Sequence, residues 1–137
     1  MKILVALDRS QQAAMVLDRA LEMVKHFKAE CILYTLAEDI PDFGEGIAMG
    51  LFEQIKHDAE KALEAALARA KTQGIQAVKV LGAGGSPADG ILDLAESEGI
   101  DLIIMGSRAK TGLGRFLIGS VAAKVVSHAG CSVLVLR

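Results

Sequence analysis

The sequence predicts an α/β domain built on one doubly wound, parallel sheet with helices on both faces. Three observations carry this. Apolar residues make up 52% of the 137 residues but aromatics only 4%, the Val/Ile/Leu/Ala interior of a sheet covered on both sides. Five short apolar runs alternate with segments of helical period, which implies right-handed βαβ units. Finally, a glycine- and cation-rich turn, from Gly106 to Ser120, leads from the fourth run into a helix. Turns of this kind hold phosphates, because backbone N–H groups are free there and a helix N-terminus carries partial positive charge. The length suits one domain, residues 1–137.

Lys2 to Leu7 reads as the first strand, ending at Asp8-Arg9-Ser10. Ser10 is placed to N-cap a helix in which Ala14, Leu17, Leu21 and Val24 keep a helical spacing as far as Phe27. Glu30 to Leu36 is the second strand. Asp39 to Gly50, with Pro41 and three glycines, reads as a loop able to act as a flap. Met49 and Phe52 flank its junction with the longest helix, Leu51 to Gln73, where core packing is expected ahead of packing over a ligand; Gly74 closes that helix as the C′ residue. Glu60, Lys61, Glu64, Arg69 and Lys71 are assigned to that helix's solvated face. Ile75 to Leu81 is the third strand and Gly82 to Ser86 a turn. Ser86 caps the next helix, with Pro87 at its first position and Gly99 after its end. Asp101 to Met105, a helix over Val121 to Ala129, and Cys131 to Leu136 complete the chain.

Several function classes are disfavoured. A net charge of −2 with no basic face argues against nucleic acid as the main partner. No apolar run approaches the roughly 20 residues that cross a bilayer. Lys2 is followed by only five apolar residues before Asp8, so no secretory leader is legible and a cytoplasmic location is expected. Cys31 and Cys131 each begin a strand without metal-ligand spacing, as reduced structural thiols do. His26, His57 and His128 fall in three different helices and read as surface residues.

Two phosphate motifs fail on inspection. A Walker loop needs glycine where Ile104 and Ala109 stand before Lys110-Thr111, and Gly82-x-Gly84-x-x-Pro87 ends in proline after the wrong strand. What remains is Gly106-x-x-Ala109, nine residues, then Gly119-Ser120. This spacing resembles the nucleotide loop of the universal stress protein family, G-x-x-G-x9-G-(S/T). Lys2 to Ser10 is similar to that family's opening strand with its terminal aspartate. Gly84-Gly85-Ser86-Pro87-Ala88 resembles its glycine-proline turn, and Asp101 to Arg108 and Cys131 to Val135 its last two strands. The resemblance covers the whole chain.

It implies a five-stranded, Rossmann-like sheet in the order 3-2-1-4-5. Asp8 and Gly106 then stand at the switch point between the first and fourth strands, where ligands enter. By the same resemblance the ligand is ATP, or ADP or AMP, with any Mg ion held mainly by its phosphates. Asp8 would read the adenine end, with capping of the next helix as a second role for its carboxylate. Leu36 would line the base, and Met105, Gly106, Ala109, Gly119 and Ser120 would hold ribose and phosphates. Arg108, Lys110 and Arg115 would add charge.

Ala109 departs from the glycine of the ATP-binding branch. At positive φ an alanine costs roughly 1–2 kcal/mol. If close approach is what matters there, its methyl obstructs the phosphate. No nucleophile–base pair is legible, so at most slow ATP hydrolysis is expected. Two functional readings follow: a nucleotide-dependent switch, or a nucleotide-free module acting through protein–protein contacts. Both imply a homodimer through the last strand, Cys131 to Arg137, and a further protein partner that the sequence does not name. Ser132, in place of the proline usual near this strand's start, does not prevent pairing.

Overall fold

In the computed structural model, residues 1–37, 45–107 and 117–137 are described, with backbone only for residues 45–48. Nine elements follow in order: β1 (Lys2–Ala6), α1 (Ala13–Phe27), β2 (Glu30–Ala37), α2 (Glu45–Thr72), β3 (Ala77–Ala83), α3 (Pro87–Glu98), β4 (Leu102–Gly106), α4 (Ser120–His128) and β5 (Ser132–Leu136). The strands form one sheet in the order β3-β2-β1-β4-β5, and every pairing is parallel. This is the expected architecture.

Side chains two apart on a strand share a face, and the two cores follow that period. Ile3 and Val5 of β1, Leu33 of β2 and Ile104 of β4 pack under α1 and α2. Leu4 and Ala6, Ile32 and Tyr34, and Ile103 and Met105 face α3 and α4. Ile3, Leu4 and Val5 have no exposed surface at all, which is why β1 reads as a continuous apolar run rather than an alternating one. Each such side chain contributes about 1.5–3 kcal/mol by leaving water.

The element ends show where local chemistry departs from expectation. Helix α1 begins at Ala13, not after Ser10, and Gln12 occupies the N-cap. The Ser10 N–H and hydroxyl both donate to Asp8 Oδ1, at 2.9 and 2.6 Å. Its hydroxyl is therefore committed to an Asx turn instead of the helix. The buried face of α1 is Val16, Leu17, Ala20, Leu21 and Val24; Ala14, expected on that face, is exposed. Of the expected Asp39–Gly50 loop, residues 39–44 lie outside the described set. Residues 45–50 are the first turns of α2, so helix replaces loop there. Met49 is 73% exposed, not core.

Helix α2 buries Ala59, Leu63, Ala66 and Ala70, one stripe at spacings of three and four. Its charged face is exposed, as expected, and two of its residues find partners there: Arg69 forks onto Asp18 of α1 at 2.5 and 2.8 Å, and Glu64 pairs with Lys79 of β3. Gly74 ends the helix at φ +76°, with the Ile75 N–H returning to Ala70 O at 3.0 Å. Ile75 is thus spent on the cap and β3 starts two residues later than expected. The strand runs on through Gly82 and Ala83, which pair with Leu36 and Ala37, so the expected turn begins later. Ser86 and Pro87 open α3 as anticipated, although the Ser86 side chain makes no capping bond to the helix backbone.

Candidate functional site

At the carboxyl ends of β1 and β4 the crossovers leave to opposite sides, and a cleft opens between them. Its walls come from segments far apart in sequence. Ala6, Leu7 and Asp8 extend β1; Tyr34, Thr35 and Leu36 belong to β2; Met105 and Gly106 end β4; Ile118 to Ala122 lead into α4. Val16 of α1 and Pro87 and Ile91 of α3 close the sides. Asp8, Leu36, Met105, Gly106, Gly119 and Ser120, six of the eight residues expected at the site, all line this one cleft. Arg108 and Ala109 lie outside the described residues, as do Lys110 and Arg115. Neither Met49 nor Phe52 is among the residues around the cleft.

Hydrogen bonds hold the β1 end of the cleft in place. The Leu7 N–H donates to Tyr34 O at 2.8 Å, and the Thr35 hydroxyl donates to Leu7 O at 2.7 Å. Together they pin β1 to β2 one residue past the strand end, so that Asp8 emerges at the rim. Asp8 Oδ1 then accepts both Ser10 bonds, fixing the carboxylate plane. At Gly106 a Cβ would come within 2.9 Å of Val16 Cγ2. Glycine there lets α1 lie close against the strand end.

Gly119 adopts φ 83° and ψ 154°, a region essentially reserved for glycine. Its carbonyl accepts the first bond of α4, from the Ala123 N–H at 2.9 Å. The N–H groups of Ser120, Val121 and Ala122 therefore precede the helical ladder, and all three residues line the cleft. This rim carries the positive end of the α4 dipole. Behind it, Lys124 binds Asp89 at 2.8 Å and ties α4 to α3. The Lys124 hydrogen bond holds the Asp89 carboxyl below its ordinary range; desolvation opposes it, and the Lys124 charge, Ser86 and the His128 charge assist.

The deep wall is apolar and neutral. Tyr34, the chain's one tyrosine, is 4% exposed, and burial followed by the Asp93 charge raises its phenol above the usual range. The ring lies where a Cβ on either Gly82 or Gly90 would strike its hydroxyl. Cys31, on the opposite core face, is pushed up to about 11 by burial, as expected of a structural thiol. His26, His57 and His128 are all exposed.

Sequence reasoning missed Thr35, Tyr34 and Ser107. A hydroxyl inside the apolar second strand was the available signal for Thr35. Ser107 is 1% exposed, and its Oγ donates to Ile118 O at 3.0 Å, a pairing across 11 residues that no local pattern announces. Among the described residues no helix is long and apolar enough to cross a membrane.

Comparison with known proteins agrees with this architecture. The profile of the Universal stress protein family matches residues 1–137. The universal stress protein YxiE of Bacillus subtilis is 33% identical over 146 residues, covering 99% of this chain and 98% of its own length. Universal stress protein UspA from Lactobacillus plantarum has the same fold, with a TM-score of 0.87 at 24% identity and coverage of 100% and 97%. A universal stress protein from Archaeoglobus fulgidus in complex with dAMP gives 0.70 at 24% identity, covering 100% and 98%. One in complex with cAMP gives 0.76 at 22%, covering 100% and 97%. With the profile spanning it from end to end and a third of its residues shared with a full-length relative, this chain belongs to the universal stress protein family.

Proposed function

We propose that the chain binds an adenine nucleotide, ATP, ADP or AMP, in the β1/β4 cleft and acts as a nucleotide-dependent dimeric switch rather than a dedicated catalyst. The observation that carries this reading is the convergence of Asp8, Leu36, Met105, Gly106, Gly119 and Ser120 on one cleft. That cleft offers what a nucleotide needs. Apolar walls from Leu36, Met105 and Ile91 suit a base, and a carboxylate at one rim and helix amides at the other suit its polar ends. Two proteins of the same fold carry cAMP and dAMP, both adenine mononucleotides. Asp8 would face the base, while Gly106, Gly119 and Ser120 would take the phosphates, with Arg108 adding charge. A Mg ion would be held chiefly by the phosphates themselves.

Ala109 favours a second reading, a nucleotide-free dimeric module acting by protein contacts, because the family's ATP-binding branch has glycine there. Mass spectrometry of small molecules released on denaturation, with calorimetric titration of ATP and magnesium, separates the two. Co-purifying nucleotide or submillimolar binding supports the switch. Absence of both, with binding gained in Ala109→Gly, supports the nucleotide-free reading.

A further inference from the structure

Ser107 follows the last cleft residue of β4 but faces inward. Its N–H donates to Leu136 O at 2.9 Å, continuing the β4–β5 pairing past Gly106. Its hydroxyl crosses to Ile118 O at 3.0 Å. Ile118 precedes Gly119, and the two share one peptide plane. In a trans peptide the carbonyl and the following N–H point in opposite directions. Holding the Ile118 carbonyl against the buried Ser107 therefore turns the Gly119 N–H away from the core. Gly119's special backbone conformation makes the plane sensitive to that hold, since no side chain of its own restrains it.

We propose that Ser107 is a positioning residue, which fixes the 118–119 peptide so that the Gly119 amide donates to a phosphate of the bound nucleotide. This rests on the nucleotide-binding reading above. Ser107 does not touch the ligand in this arrangement. It acts only through Ile118, and its effect falls on the phosphate end and not on the base.

The test is calorimetric titration of ATP and of adenosine into the wild-type chain, Ser107→Ala and Ser107→Cys. An amide NMR spectrum of each nucleotide-free protein accompanies it. Loss of one buried hydrogen bond should weaken ATP about tenfold in Ser107→Ala and leave adenosine unchanged. Ser107→Cys, a weaker donor of similar shape, should fall between. The Gly119 amide peak should shift and exchange faster in Ser107→Ala, while amides of β1 stay in place. Equal losses for ATP and adenosine, no loss of either, or an unmoved Gly119 peak overturns the proposal. A wild-type chain that binds no adenine nucleotide overturns the functional reading and the phosphate role of Ser107 with it. A shifted Gly119 peak in that case still upholds the hold on the peptide plane.

Discussion

Three glycines decide local geometry for two different reasons, and substitution separates them. Gly119→Ala forces a Cβ into a glycine-only backbone region and should cost about 1–3 kcal/mol, read as a lowered melting temperature; an unchanged melt would contradict the strain argument. Gly82 and Gly90 instead make room for Tyr34. In Gly90→Ala the new methyl meets the Tyr34 hydroxyl, but the ring carbon bearing it lies 3.4 Å away. In Gly82→Ala that ring carbon is at 2.9 Å and Leu36 Cδ1 at 2.7 Å. Each alanine should destabilise by about 1–3 kcal/mol through overpacking. Adding Tyr34→Phe should rescue Gly90→Ala and not Gly82→Ala, and equal rescue of both in denaturant titrations would show the packing to be otherwise. The sequence announced Gly119 through its spacing to Gly106. It gave no sign of the Tyr34 slot, because the two glycines and the ring meet only after β2, β3 and α3 have assembled.

Among the elements, α3 and α4 form the wall behind the cleft's amide rim, joined by Asp89 and Lys124. Because the Asp89 pKa is depressed in the folded chain, the pair's contribution is present above the ordinary carboxyl value of 3.8. It fades as pH falls through the lowered folded value. Melting curves recorded from pH 6 downward should therefore show a shallower acid decline in Lys124→Ala than in the wild type; parallel declines would rule the pair out. Helix and strand types were legible from period and punctuation, and Gly74, Pro87 and Gly99 marked real boundaries. The misses have local causes. Ser10 turned back onto Asp8, Ile75 was taken by the α2 cap, and pairing with Leu36 and Ala37 drew Gly82 and Ala83 into β3. Gly106, Gly119 and Ser120 stand in the glycine-rich turn that the sequence itself marks, and Asp8, Leu36 and Met105 were reached through the family resemblance. Thr35 and Ser107, by contrast, act through contacts between segments distant in sequence.

At the scale of the molecule, β5 is an edge strand whose Val133, Leu134, Val135 and Leu136 are only half-buried, beside an exposed Val126 on α4. Apolar edges of this kind invite pairing. We propose that two copies meet there, and sedimentation should return twice the chain mass at micromolar concentration; a monomer at every concentration would count against it. The opposite side of the sheet's centre has a temporal consequence. β1 gains β2 after one helix, but its other neighbour, β4, follows much later: Lys2 and Asp101, hydrogen-bonded at 2.7 Å, are 99 residues apart. At a ribosome's pace of about 5–20 residues per second, that gap lasts roughly 5–20 s. During it, a central strand whose Ile3, Leu4 and Val5 are wholly buried in the folded chain stands with one edge unpaired. The strand order that creates the cleft also sets the interval in which a newly made chain depends on its surroundings to stay apart from others.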